Sequence, residues 1–275
     1  MPLDVNTLLF LRYCPFKFNS YPTTRAITMI KQIPNIITSL NLLCGCVAIL
    51  FAVSGDLITT SIFVFSGIFF DFFDGLAARL LKAQSALGLQ LDSLADMITS
   101  GVAPAVVMLQ MLSLASTGTY IELYSENTES MAWIAANFSL LPFTGLLIAV
   151  ASGYRLAKFN IDTRQTNSFI GLPTPANAML ILSLPLILQY QNSELVESIV
   201  LNKWILIGLT VVSCILLNIE VSLFSLKFKT WDFKSNAIRY VFLLISVVCI
   251  VLLKFIAIPA LLLLYILMSL FWKNK

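Results

Sequence analysis

The sequence predicts an all-α protein, a polytopic membrane bundle of about eight transmembrane helices. Three observations carry that expectation. Hydrophobic residues fill 59% of the 275 positions and charged residues only 11%, against about 25% charged in an ordinary soluble domain. The apolar residues gather in eight long stretches, each near the ~20 residues that a spanning helix needs. And 15 of the 17 basic residues fall on one side of an alternating topology, the bias that orients a chain in a membrane.

The stretches are 34–54, 57–82, 88–115, 131–158, 174–193, 199–219, 237–254 and 256–272. Their links are short, so neighbours are expected to pack antiparallel, and the last two meet at Lys254 and Pro259 in a tight hairpin. No internal repeat is visible. With the N-terminus in the cytoplasm, Arg12, Lys17, Arg25, Lys31, Arg79, Lys82, Arg155, Lys158, Arg164, Lys227, Lys229, Lys234, Arg239, Lys273 and Lys275 lie inside, and only Lys203 and Lys254 outside. The segment 116–130 holds Glu122, Glu126 and Glu129 without Lys or Arg and reads as external. Trp133, Trp204, Trp231 and Trp272 sit near span ends, as interfacial anchors do. Both termini are therefore expected in the cytoplasm, on a multi-pass protein of the cytoplasmic (inner) membrane.

Residues 1–32 mix aromatic and basic groups with Pro15 and Pro22. They read as a cytoplasmic interfacial segment, or as a loose tail ahead of a true start at Met29. No apolar h-region precedes a small-residue cleavage site there, so no cleaved leader is expected. The chain has no histidine, which removes the Ser-His-Asp triad and His-ligated zinc. Its five cysteines show no paired spacing beyond Cys44-x-Cys46 and read as small buried hydrophobes. No nucleic-acid partner is expected.

Against this apolar background the acidic residues stand out. Asp71, Asp74, Asp92 and Asp96 fall in or beside the second and third stretches. One Asp at the centre of a membrane helix costs about 2.5–3.5 kcal/mol on insertion scales, so four together need something positive among them. Asp71 and Asp74 are three apart and Asp92 and Asp96 four apart, so each pair shares a helix face. A turn near Lys82–Leu87 makes the two helices a hairpin and lets the pairs face each other at the cytoplasmic side. Converging carboxylates without imidazole or thiolate suit hard cations such as Mg²⁺ or Mn²⁺. Two such ions on shared carboxylates suit in-line displacement at phosphorus. Gly75, Ala78 and Gly88 let a ligand approach the helix backbone, or serve helix packing. Arg79 is placed to meet a phosphate with two parallel hydrogen bonds.

Read in one line, the segment is Asp71-Phe-Phe-Asp74-Gly75-Leu-Ala-Ala78-Arg79, eight residues, Gly88, three residues, Asp92, three residues, Asp96. It resembles the signature of the CDP-alcohol phosphatidyltransferase family at every defined position. Pro34-Asn35-Ile-Ile-Thr38-Ser-Leu-Asn41 looks like that family's first helix, which helps hold the cytidine diphosphate group, so Asn35 and Thr38 join the candidates. Other members carry Arg where this chain has Asn41, a departure that argues against the glycerol-phosphate branch. Leu91-Asp92-Ser93-Leu94-Ala95-Asp96, Tyr154-Arg155-Leu156-Ala157-Lys158-Phe159-Asn160 and Gly171-Leu172-Pro173 are similar to the serine-using branch. The likeness covers roughly residues 33–190.

The resemblance implies six core helices around a cytoplasm-facing polar cavity, two divalent cations and often a homodimer. It implies that Asp71, Asp74, Asp92 and Asp96 hold the metals and that Asp96 is also the general base. Asn35, Thr38, Gly75, Ala78, Arg79 and Gly88 would then sit against the CDP-lipid. The core would run over 33–219, ahead of a cytoplasmic loop and transmembrane hairpin at 220–275. The expected reaction joins CDP-diacylglycerol and L-serine to give phosphatidylserine and CMP, among membrane lipids. Arg155, Lys158 and Asn160 are the candidates for the serine end, though Arg155 and Lys158 also fit positive-inside anchoring. Glycerol 3-phosphate or an inositol phosphate stays open as acceptor, as do a Mg²⁺-dependent prenyltransferase and an ion transporter.

Overall fold

The computed structural model describes residues 32–121, 140–162, 169–223 and 233–271. Within them a helix occupies each of the eight apolar stretches, and most ends have a local cause. Helix α1 (Ile33–Val53) carries Pro34 in its first turn, where a missing N–H costs nothing. Helix α2 (Leu57–Leu80) opens on Asp56, which accepts a hydrogen bond from the Thr59 N–H at 3.0 Å. Those bonds to Thr59 hold the Asp56 carboxyl below its ordinary pKa. Left-handed Lys82 (φ 50°) stops the chain after α2, and Ser85 caps α3 (Ala86–Asp96) by accepting from the Gly88 N–H at 3.0 Å. Helix α3 passes through a π-helical turn, Met97–Val102, into α4 (Ala103–Thr117). A 3₁₀ turn, Leu141–Leu146, leads into α5 (Leu147–Ile161). Then come α6 (Thr174–Tyr190), α7 (Glu194–Val200), α8 (Lys203–Asn218), α9 (Phe233–Leu253) and α10 (Ala257–Phe271).

One feature lies outside the all-α expectation. Phe169–Ile170 (β1) and Ser222–Leu223 (β2) form a two-residue antiparallel bridge. It is too short to leave an alternating pattern in the sequence. Beside it the Gly171 N–H donates to the Val221 carbonyl at 3.0 Å and the Leu172 N–H to the Leu216 carbonyl at 2.8 Å. Gly171 has φ +74°, and a Cβ there would stand 2.7 Å from the Leu217 oxygen, so both the turn and the close approach require glycine. This strap fixes where α6 begins.

The helices alternate in direction. Gln110 of α4 donates to the Val53 carbonyl at the end of α1 (3.2 Å) and to Ile121 (3.1 Å). At the same far end Gln191, just past α6, donates to the Leu253 carbonyl (3.0 Å) and accepts from the Phe255 and Ile256 N–H groups (2.8 and 3.1 Å). At the opposite end Asn218 of α8 donates to the Ala151 carbonyl (3.2 Å) and Lys158 pairs with Glu220 (2.7 Å).

Among the described residues four helical runs are long and apolar enough to cross a membrane: 33–53, 57–80, 86–117 and 242–269; α7 and α8, bent by 55°, make a fifth if taken together. The run 242–269 is not one straight span. The Phe242 and Tyr265 ring centroids are 6.1 Å apart, whereas 23 residues of helix would separate them by about 34 Å. The chain turns back at left-handed Lys254 (φ 47°), so the hairpin expected there is present. Its outer face is apolar and bare, with Leu244 68%, Val251 72% and Leu252 72% exposed. Lipid, as apolar as these side chains, is the solvent such a face suits.

Helix α4 lies at the centre, packed on α1, α5, α6 and α8. Val107, Met108, Met111 and Leu112 of α4 join Val64, Ile148, Ile181 and Leu182 in one fully buried core. The cysteine expectation needs correction. Cys44, Cys214 and Cys249 are only partly buried and Cys46 is exposed, all as free thiols. In a membrane an apolar side chain need not turn inward to leave water. Residues 1–31, the acidic residues Glu122, Glu126 and Glu129, Arg164, Lys227, Lys229, Trp133, Trp231, Trp272, Lys273 and Lys275 lie outside the described residues.

Candidate active site

The first four helical segments bring the sequence motif together at one end of the bundle. Asp71 and Asp74 on α2 meet Asp92 on α3, with one carboxylate oxygen from each lying within 4.8 Å of the others. Asp74 is buried, 5% exposed. The Thr38 hydroxyl of α1 donates to Asp74 Oδ2 at 2.5 Å, with the Pro34 carbonyl 3.0 Å away. Three carboxylates this close repel one another in a nonpolar medium. A hard divalent cation among them removes that repulsion, so the donor set fits one. Asp96 falls one turn further along α3, outside the three-residue cluster.

Two cavities meet at these carboxylates. The first, of about 510 Å³, is lined by α1, α2, the 83–85 turn and α3. All six residues that the sequence assigned to the CDP-lipid lie on it: Asn35, Thr38, Gly75, Ala78, Arg79 and Gly88. Arg79 Nε donates to the Gly75 carbonyl at 3.1 Å, leaving the outer edge of its guanidinium free to bind. The second cavity, of about 400 Å³, holds Asp71, Asp96, Ser93, Arg155, Phe159 and Thr174 on its wall. Asp74, Gly75, Arg79 and Asp92 line both.

The three serine-end candidates separate. Arg155 of α5 is buried (8% exposed) and lines the second cavity, its guanidinium 6.0 Å from the centre of the Phe159 ring. Lys158 is not on that wall, and its ammonium pairs with Glu220 at 2.7 Å on the surface. Asn160 donates to the Ser93 hydroxyl at 2.9 Å and so orients a wall residue. Ser93, Phe159 and Thr174 were not singled out from the sequence. Nor was the π-helical turn after Asp96, which rests against α1 where the Thr99 hydroxyl donates to the Asn41 carbonyl at 3.1 Å. Gly67 on α2 permits that approach: a Cβ there would stand 2.8 Å from Asn41 Oδ1.

A carboxylate cluster between two cavities, at one end of a lipid-facing helix bundle, is the site of a membrane enzyme suited to charged substrates. The chain belongs to the CDP-alcohol phosphatidyltransferase family, whose sequence model matches residues 31–216. It is therefore a membrane transferase, which sets aside the prenyltransferase and transporter readings. Among curated proteins it is similar to the CDP-diacylglycerol–serine O-phosphatidyltransferase of Bacillus subtilis, 36% identical over 158 residues, 56% of this chain and 75% of the relative. It is also similar to the protein of that name from Methanocaldococcus jannaschii, 32% identical over 188 residues, 68% of this chain and 74% of the relative. The Helicobacter pylori (strain J99) protein of the same name is 30% identical over 151 residues, about half of each chain (54% and 54%).

Proposed function

We propose that this transferase moves the phosphatidyl group of CDP-diacylglycerol to L-serine, giving phosphatidylserine and CMP. The observation that carries the reading is the junction of two cavities at one carboxylate cluster. The first cavity offers a phosphate-binding Arg and small residues; the second offers a buried cation to a small acceptor. The relatives' names supply the acceptor.

Asp71, Asp74 and Asp92 would hold one cation as they stand, with Asp96 helping to hold a second; Mg²⁺ and Mn²⁺ both suit the oxygen donors. Bound there, such ions neutralise the pyrophosphate and the departing CMP. Arg79 and the backbone beside Gly75 and Gly88 hold the CDP group, with Asn35 and Thr38 on the α1 side. Asp96, set apart from the three-residue cluster, takes the proton of the serine hydroxyl. The serine oxygen forms its bond to the lipid-bearing phosphorus as the bond to the CMP oxygen breaks on the opposite side. CMP leaves with that electron pair. Arg155 faces the serine carboxylate. Phosphorylated acceptors call for a denser basic wall than Arg155 and the shared Arg79 supply.

The site would face the cytoplasm from the cytoplasmic membrane, with both termini on that side. Arg79, Lys82, Arg155 and Lys158 stand at the site end, and Lys203 and Lys254 at the other. A homodimer is the proposed assembly. The acceptor is tested with purified protein in detergent, CDP-diacylglycerol and labelled serine, ethanolamine, glycerol 3-phosphate or inositol phosphate. Serine should be used well and the others poorly. A robust reaction with glycerol 3-phosphate and none with serine would refute the acceptor.

A further inference from the structure

The start of α6, at the wall of the second cavity beside Arg155, holds two polar groups that no role above uses. Thr174, first residue of α6, lines the cavity, is 0% exposed, and its Oγ1 makes no hydrogen bond. Asn177 lies one turn on along the same face, is 0% exposed, and leaves both amide atoms unpaired. Arg155 comes from α5, 8% exposed, with Nε unpaired and no ion pair among the described residues. More than about nine in ten buried polar groups have a partner in native proteins. Thr174 and Arg155 on one cavity wall, with Asn177 a turn further along α6 from Thr174, mark a place where a ligand supplies it.

The sign of that ligand follows from the donors. A guanidinium has only N–H groups to offer, and the Thr hydroxyl and the Asn amide can both donate. They surround the N-terminus of α6, a 17-residue helix with no side-chain cap, where the helix dipole is positive. All four features favour an anion. Among the described residues only one buried cation lines this cavity, since Arg79 is exposed and shared with the first cavity. That suits a singly charged carboxylate better than a phosphate dianion. Phe72, Leu156, Phe159, Pro173 and Pro175 make up the apolar part of the wall. The Gly171 strap, through the Gly171 and Leu172 N–H bonds, holds the helix end in position.

We infer that Thr174 and Asn177, together with Arg155, form the pocket that selects an acceptor by its α-carboxylate. Thr174 Oγ donates to the carboxylate directly and Asn177 Nδ2 completes the floor one turn deeper. The inference rests on the serine reading above and assigns it two specificity residues. It predicts that a carboxylate-bearing alcohol is preferred over an amino alcohol with the same hydroxyl.

The test compares Thr174→Val, Thr174→Ser, Asn177→Ala and Asn177→Asp with wild type in detergent, using CDP-diacylglycerol with serine or ethanolamine. Loss of one hydrogen bond to a charged group should raise the KM for serine about ten- to a hundredfold in Thr174→Val and Asn177→Ala. kcat and the KM for CDP-diacylglycerol should change far less. Thr174→Ser should restore the serine KM, and Asn177→Asp, of nearly equal size, should worsen it by repulsion. The preference for serine over ethanolamine should fall by the same factor as the KM rises. Serine alone should raise the Tm of wild type and Thr174→Ser, and not that of Asn177→Asp. An unchanged serine KM and serine-induced Tm shift in the altered proteins overturns the pocket. So does a KM change confined to CDP-diacylglycerol. Wild type that ignores serine refutes the serine reading itself, a result distinct from either.

Discussion

At the residue scale the site is an account of why charge is tolerated in a nonpolar setting. Asp71, Asp74 and Asp92 stand close enough to repel one another as bare anions, and a cation among them would offset that cost. Asp71→Asn or Asp92→Asn should therefore cut turnover by more than about 100-fold, beyond what the hydrogen-bond partners of a metal's ligands contribute. Thr38 is such a partner, through its 2.5 Å bond to Asp74. Thr38→Val should raise the Mg²⁺ needed for half-maximal rate about ten- to a hundredfold, read from a metal titration; an unchanged titration would remove Thr38 from the metal's support. Arg155 and Lys158 were indistinguishable in the sequence, since both are cations at the end of one span. Burial separates them. Arg155→Ala should raise the serine KM about ten- to a hundredfold, the scale of one charge-assisted hydrogen bond. Lys158→Ala removes an exposed pair with Glu220, worth about 0–1 kcal/mol, and should leave the serine KM where it was. Equal effects of the two changes would contradict this assignment. The aspartate motif was legible because charge is rare in an apolar chain. Thr174 was not, because a hydroxyl at a helix start reads as an ordinary cap until its cavity is seen.

At the scale of elements, the sequence located the helices and their reversals by apolar length and by polar links. What it missed was set by long-range backbone contacts. The β1–β2 bridge joins segments about fifty residues apart through four residues, and the π-helical turn at 97–102 has no composition of its own. The expected span 199–219 takes in α8 and only the last two residues of α7, whose seven residues are too few to stand out as a stretch of their own. Gln191 links α6 to the turn of the last hairpin through three hydrogen bonds. Gln191→Leu leaves those backbone groups unsatisfied, at about 1–3 kcal/mol for each buried one. The Tm in detergent should fall while the KM values stay unchanged, because the hairpin is remote from both cavities. A selective loss of serine binding in this variant would show that the hairpin shapes the site.

At the scale of the whole molecule, the alternation of helices places the carboxylate cluster, Arg79, Lys82 and Lys158 at one end and Lys203 and Lys254 at the other. In a cysteine-free background, Lys82→Cys and Lys203→Cys should label from opposite sides of intact membranes, Lys203→Cys from outside. Labelling of both from one side would overturn the orientation. The alternation of the helices was legible from the apolar stretches and their short links, but the depth of the site was not. That depth comes from α4, whose Met108, Met111 and Leu112 fill the centre of the bundle. The central claim is that one metal-dependent site, set between two cavities, joins a CDP-lipid to serine. Its most direct test is the product balance of purified protein in detergent with CDP-diacylglycerol, labelled serine and Mg²⁺ or Mn²⁺. The account predicts phosphatidylserine and CMP in equal amounts, none of either in EDTA, and recovery when the cation is restored. Full turnover in EDTA, or CMP released without phosphatidylserine, would contradict it.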